Sequence, residues 1–381
     1  MKQFYPLSTF LTEYSEKNGG NTYRPVAIGR YGIRTRESIY SKELAKDYSK
    51  NKLIHKNTLT VGMGSVQIDI GVLTDDITYS VSPAYHTYKI AGVNAEYLRY
   101  CLECRNQDMF SRFVKRGSRQ GKTIDLKRWL TYEIPVYDEN RQQEIVDRLN
   151  QISELIEKRR EQLVQLSELV KSRFIELFGD MFLNSKAWKK QALDSLADVV
   201  SGITKGRKTK EPQLIEVPYM AVSNVKDGYI DWTTVKTIQA TQQEIEQYRL
   251  LPDDVLMTEG GDPDKLGRGA ILKEPLQNCI HQNHIFRVRL NESLILPAFF
   301  EEYLKHQKAK RYFLGCAKQT TGIASINMQQ LKALPVLLPP LELQEQFAAF
   351  VEQTDKSKLA VQKSLEELEI LKKSLMQQYF G

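Results

Sequence analysis

The feature that most constrains this chain is a phrase it carries twice. "KSRFIELFG" occupies residues 171–179 and "KSLMQQYFG" closes the chain at 373–381. A period near 200 is too long for a solenoid, whose units run about 20–50 residues. It fits a chain built as two copies of one plan. The match extends outward. "RREQLVQLSELVKSRFIELFG" (159–179) lies over "VQKSLEELEILKKSLMQQYFG" (361–381), and "IPVYDENRQQEI" (134–145) over "LPVLLPPLELQEQF" (334–347). Further up, "TIDLKRW" (123–129) resembles "SINMQQL" (325–331), and the offset drifts from 200 to 202.

The segments from Arg141 and Glu342 onward read as helices. They lack interior Gly and Pro and are rich in Glu, Gln, Lys, Leu and Arg. Asn140 and Gln143 fit a capping box for the first. Pro339 and Pro340 lead into the second, where missing N–H groups do no harm. Gly179 and Gly381 sit where C-terminal caps belong. Along the first helix Ile145, Leu149, Ile152, Ile156, Arg159, Leu163, Leu166, Val170, Arg173 and Leu177 alternate steps of four and three. Adding 202 gives Phe347, Val351, Thr354, Lys358, Val361, Leu365, Leu368, Lys372, Leu375 and Tyr379. This is a heptad seam over about five heptads in each copy. Basic residues on the seam can lay their stems along it with their heads in water. A helix that long needs a partner for its stripe, and the available partner is its own repeat. The expected frame is an antiparallel coiled coil with a pseudo-two-fold axis.

The remaining segments are globular and mix short β-like runs with helical stretches. "TLTVGMGSVQIDIGVL" (58–73) and "NAEYLRYCLE" mark the first; "DDVLMTEGG", "RGAILKE" and "LPAFFEEYLKHQ" mark the second. The fold class expected is α+β. Two α/β globules at 1–133 and 184–333 are separated and joined by helical spacers at 134–183 and 334–381. The 41% hydrophobic content supports real cores, and the net charge of +7 fits a polyanionic partner. The N-terminus has no apolar signal region, no stretch approaches a transmembrane span, and four cysteines make no disulfide framework. The expectation is a soluble, cytoplasmic protein.

Catalytic motifs are not found. "GSRQGKT" (117–123) has three residues between its glycines where a Walker A needs four, and it follows a helix-like stretch. "LLPPLE" (337–342) lacks the polar and aromatic flanks of an amino-methyltransferase. "EGGDPDKLGRG" (259–269) does not fit a dinucleotide fingerprint and reads as a surface loop. Cys101 and Cys104 share a helical face with no second pair at zinc spacing. His281 and His284 have no matching acidic or thiol constellation. No catalytic, cofactor-binding or metal residue is assigned.

What remains is basic and polar. Arg30, Arg34, Arg36 and Lys42 lie among tyrosines; Arg116, Arg119, Gln120 and Lys122 follow in "RFVKRGSRQGKT". The second globule offers Lys205, Arg207, Lys208 and Lys210, then Lys318, Gln319 and Thr320. Such residues on loops position phosphates and read base edges. Their occurrence at corresponding points of both copies favours DNA over ordinary solvated loops.

At this point the chain resembles the specificity subunit of Type I restriction-modification enzymes. That family alternates two target-recognition domains with two long helical regions, and a Pro-rich run of the kind "IPLPPLxxQ" leads into each helix. "LPVLLPPLELQ" (334–344) matches it, whereas "IPVYDENRQQ" (134–143) keeps Pro135 and Gln143 but loses the Pro pair. The resemblance implies that each domain reads one half of an asymmetric bipartite site in double-stranded DNA. It implies that two modification subunits dock on the helices and that restriction subunits join them. S-adenosylmethionine, ATP and magnesium belong to those partners, and this chain is not itself an enzyme. The other readings are a coiled-coil adaptor without DNA readout, a self-contained methyltransferase, and an orphan specificity subunit.

The doubled helix makes a direct prediction. Removing residues 342–381 should expose the first stripe and cause aggregation or loss of partner binding. A soluble, partner-binding truncation in size-exclusion chromatography and pull-down would contradict it.

Overall fold

The structure is a computed structural model that describes residues 2–20, 23–30, 32–39, 47–117, 121–207, 213–320 and 322–381. It divides into two compact units: Met1–Glu161 with Gln362–Gly381, and Gln162–Val361. Each unit thus takes one globular region, the first half of the helix that follows it, and the last half of the other long helix.

In the first unit, strand Gln3–Pro6 pairs antiparallel with Glu133–Val136, the strand that leads into the first long helix. A turn at Leu7–Thr9 buries Leu7 and hands the chain to a four-stranded antiparallel sheet. Its order is Leu11–Tyr14, His86–Ile90, Thr58–Met63, Ile68–Leu73. A side hairpin, Val26–Gly29 with Gly32–Thr35, lays Ile28 and Ile33 over Gly71, where a Cβ would come within 2.7 Å of Ile33. Helices Ala95–Cys104 and Asn106–Phe113 follow, then a hairpin of Val114–Gly117 and Gly121–Ile124 and a helical turn at Leu126–Trp129. Asn94 starts the first of these helices by accepting from the Glu96 and Tyr97 amides.

The second unit repeats this order. Lys189–Ala192 pairs with Pro335–Leu338. The four-stranded sheet runs Ala197–Ser201, Ile285–Leu290, Val255–Thr258, Gly269–Ile271. Helices Pro297–Lys305 and Gln307–Cys316 precede a hairpin of Lys318–Thr320 and Ile323–Ser325 and a helix at Met328–Lys332. Among the described residues the side hairpin has no counterpart here. In its place a three-stranded sheet joins Ile215–Met220 to Lys236–Ala240 and Ile280–His281, with helix Gln242–Tyr248 alongside.

The long helices are Glu139–Phe178 and Leu341–Phe380, each of 40 residues and about 60 Å long. They run antiparallel within each unit. In the first, Arg160 meets Glu369 at 2.7 Å while the Arg141 guanidinium lies over Tyr379. In the second, Phe178 meets Phe347 and Arg173 lies over Phe350. Every seam position is buried or half-buried, including Arg159, Arg173, Lys358 and Lys372. The start of the first helix differs from expectation. Asp138, not Asn140, is the capping residue, accepting the Arg141 amide at 3.0 Å. Its charge also complements the helix dipole, and Asn140 lies inside the first turn.

A buried glutamine fixes each helix to its module. Gln142 accepts from the Asn94 amide at 2.9 Å and donates to the Tyr137 carbonyl at 2.7 Å. Gln344 accepts from the Leu296 amide at 2.9 Å and donates to the Pro339 carbonyl at 2.9 Å. All three positions match at an offset of 202. The structural counterpart of Gln344 is therefore Gln142. Gln143, expected from the spacing of the Pro-rich run, instead bonds the Asn94 side chain and Asp147.

The repeated phrase ends in an aromatic plug. Phe178 packs against Phe299 and Phe347 with centroids 4.8 and 5.5 Å away, and Trp188 donates to its carbonyl at 2.8 Å. Phe380 packs edge-on against Tyr97 at 5.1 Å, and Arg105 Nε donates to its carbonyl at 2.5 Å. Both rings are fully buried. Gly179 and Gly381 follow, and Gly179 takes the left-handed φ of +75° that closes the helix. Phe380→Ala should cost about 3–5 kcal/mol, read as a lower denaturant midpoint with hydrogen-exchange protection lost first in residues 95–104. A loss below about 1 kcal/mol would show that the plug is dispensable.

Candidate nucleic-acid interface

The basic hairpins occupy the same place in both units, between the second short helix and the last helical segment. In the first unit Val114 pairs with Ile124 and Arg116 with Lys122, and Gly121 makes the turn with φ +75°. Lys115 is tied down by Asp125 at 2.7 Å. The Lys122 ammonium donates to the Ser65 carbonyl and lies 5.4 Å from the centre of the Phe110 ring. In the second unit Lys318 pairs with Ser325 and Thr320 with Ile323, and Gly322 turns with φ +86°. Sequence candidates Arg116, Lys122, Lys318, Gln319 and Thr320 thus fall on matched strands. Arg119 and Gln120 lie outside the described residues. "GSRQGKT" spans a hairpin rather than a strand-to-helix turn, which is no phosphate loop.

Arg30, Arg34 and Arg36 belong to the side hairpin of the first unit. Arg30 follows the strand Val26–Gly29, Arg34 stands opposite Ala27, and Arg36 opens a short helical turn with its guanidinium 5.2 Å from the Tyr48 ring. Lys42 lies outside the described residues. A groove of about 580 Å³ runs beside Arg30, Gln67, Arg99, Asn106, Arg160 and Lys372. Residues 64–67 connect the two basic groups. Gln67 lines the groove and Ser65 accepts from Lys122. Asn106, buried, anchors the end of that connection with a paired bond to the Ile68 amide and carbonyl, at 3.0 and 2.9 Å. Sequence reasoning missed Ser65, Gln67 and Asn106, since nothing local marks them.

In the second unit Lys205 sits on the turn after Ile203, whose carbonyl accepts from the Asn283 amide. Arg207 forms an ion pair with Glu244 and donates to the Gln239 carbonyl at 3.2 Å, with a largely buried side chain. This pairing holds the Glu244 carboxyl below its usual range and ties the turn to helix Gln242–Tyr248. Lys208 and Lys210 lie outside the described residues. The Gly-rich run 259–269 is more than a surface loop: Gly260 and Gly261 pair with Ser325 and Ala324, adding a third strand to the basic hairpin. The Glu259 amide donates to the His284 carbonyl, and the Ile326 amide to the Glu259 carbonyl. Four segments around Lys205, Glu259, Asn283 and Lys318 therefore converge.

His281 is fully buried, its Nδ1 3.1 Å from the Ile285 carbonyl. Burial pushes its pKa down to about 4, so it is neutral at physiological pH. His284 is exposed and its Nδ1 lies 2.5 Å from Glu259. Among the described residues no cluster suits a metal ion. Cys101 and Cys104 are free thiols, and burial pushes Cys101 up to about 12, so the first is packing material. Among the described residues no helix is long and apolar enough to cross a membrane.

The sequence profile described as Type I restriction modification DNA specificity domain matches twice, over residues 8–166 and 185–370. The chain belongs to this family. The two matches cover one structural repeat each. Among named relatives, the MjaX type I restriction enzyme specificity subunit of Methanocaldococcus jannaschii is 29% identical over 194 residues, 51% of this chain and 45% of its own. The EcoKI specificity subunit of Escherichia coli is 28% identical over 138 residues, 36% of this chain and 30% of its own. The chain spans less than half the length of these relatives. A crystal structure of the S subunit of a Type I restriction-modification system from M. genitalium shares the fold, with a TM-score of 0.57 at 15% identity over 100% of this chain and 96% of that one.

The hairpin lysines yield a quantitative expectation. If Lys122 and Lys318 each neutralise a phosphate, alanine at either should reduce the slope of log K against log salt by about 0.9. Fluorescence anisotropy across a salt series on duplex DNA measures this, and an unchanged slope removes that lysine from the interface.

Proposed function

We propose that this chain is the DNA-reading subunit of a Type I restriction-modification enzyme. Residues 1–133 and 184–333 are its two target-recognition domains, and residues 134–183 and 334–381 form the helical frame that carries them. The observation that carries the reading is the pair of hairpins. Two modules of one topology present basic strands at the same place, each beside a different set of polar loops. Shared topology supports a common way of approaching the duplex, and differing loops support two different half-sites. The lysines and arginines hold phosphates, which fixes register without reading sequence. Base preference comes from the polar loops beside them.

The chain supplies specificity and no bond-making step. Two modification subunits dock on the near-equivalent faces of the frame and bring S-adenosylmethionine; restriction subunits bring ATP and magnesium. The target is an asymmetric, interrupted site with an unread spacer.

The test is methylome sequencing of cells expressing the chain with its modification subunit, before and after residues 184–333 are exchanged for another reader. One half-site should change and the other persist. A motif altered in both halves, or a single uninterrupted palindrome, would overturn the two-reader assignment.

A further inference from the structure

Beside the hairpin of the second module a carboxylate and an imidazole stand paired on backbone that the hairpin holds. Glu259 lies immediately before the strand that pairs with the hairpin, where Gly260 opposes Ser325 and Ser325 opposes Lys318. Its carboxylate meets His284 Nδ1 at 2.5 Å, with the His side chain 55% and the Glu side chain 33% exposed. A carboxylate accepts only, so Nδ1 carries the proton and Nε2 points elsewhere. The Asn283 side-chain nitrogen stands 3.4 Å from Nε2. The positions are fixed by backbone bonds, from the Glu259 amide to the His284 carbonyl at 3.0 Å and from the Ile326 amide to the Glu259 carbonyl at 2.9 Å.

This arrangement is poorly suited to a phosphate. A carboxylate beside the DNA backbone is repelled, whereas a carboxylate at a base edge accepts from an exocyclic amino group. The second carboxylate oxygen of Glu259 and the Asn283 amide oxygen are both acceptors. We propose that Glu259, positioned by His284, acts with Asn283 as a base-edge reader that accepts from cytosine N4 in the major groove, since adenine sets the acceptor N7 beside its amino group. Lys205 and Lys318 flank the reader and take the adjoining phosphates. This rests on the DNA-reading function proposed above and adds to it the residues and the chemical class of base.

The first module has no equivalent. The residue preceding its strand His86–Ile90 is Tyr85, whose hydroxyl donates inward to the Ile28 carbonyl at 3.0 Å and whose ring covers Gly62. The effect of the reader is therefore confined to one half-site.

The test is selection from a randomised duplex library with the full chain, comparing the unaltered protein with Glu259→Gln, His284→Ala and Lys318→Ala. The unaltered protein should enrich an interrupted motif. Glu259→Gln and His284→Ala should both relax preference at one and the same cytosine of one half, by roughly ten- to hundredfold. The other half should remain selected, which also reports that the variants are folded. Lys318→Ala should weaken all sequences alike. Unchanged preference in both variants, or relaxation in both halves, overturns the reader while the DNA-reading function stands. If the unaltered protein enriches no sequence, the DNA-reading function falls as well.

Discussion

The aromatic plug at each helix end is the contact on which the rest of this architecture depends. Phe380 closes the core of a module far from it in sequence and Phe178 that of the module that follows it, so each helix brings its plug to the module opposite its own start. Burying a phenylalanine is worth about 1.5–3 kcal/mol in transfer alone, and here the helix carbonyls are also held, by Trp188 in one unit and Arg105 in the other. The last residues of the chain are thus core residues of its first module. A long amphipathic helix held only by its seam could slide by a heptad; one whose end is seated in a module cannot.

The buried glutamines solve a different problem. A strand that turns into a helix leaves backbone groups without partners, and a buried orphan costs about 1–3 kcal/mol. Gln142 and Gln344 each satisfy one amide and the carbonyl before the helix, Gln344 also holds the Leu294 carbonyl, and the amide belongs to the start of the neighbouring short helix. The same side chain therefore sets the angle between long helix and module. It does so identically in both units although the local sequences, "YDEN" and "LPPL", share almost nothing. Geometry is preserved where the frame needs it and sequence is free to vary elsewhere.

That division explains how one plan carries two different sets of surface loops. The four-stranded sheet, the helix pair and the hairpin have the same order in both modules. Differences are confined to appendages: the arginine-bearing side hairpin in the first, and the three-stranded sheet with its helix in the second. The appendages meet the hairpins through connections between sheet strands, at residues 64–67 in one module and around Glu259 in the other. Basic and polar surface groups can thus change independently of the core.

The doubling, the helix pair, the heptad seam and the basic residues are legible in sequence because each is a pattern of period or composition, although the basic residues read as loops and Lys122 and Lys318 stand on paired strands. Every seam position from Ile145 to Tyr379 lies at least half-buried, as its spacing requires. The family resemblance rests on the same long-range order. What the sequence could not resolve were choices between neighbours and contacts between distant segments. Gln142 and Gln143 are chemically identical, and only the strand pairing before the helix decides which one faces the module. Asp138 and Asn140 are both good caps, and the same pairing selects Asp138. Gly260 and Gly261 carry no side-chain signal for a strand, since their pairing partner is supplied by Ser325 and Ala324 more than sixty residues later. His284 and Glu259 are twenty-five residues apart and become a pair through backbone bonds made by other residues. Periodicity determined which faces are buried; tertiary hydrogen bonding decided which polar groups stand together, because that pairing depends on non-local register and not on any local pattern.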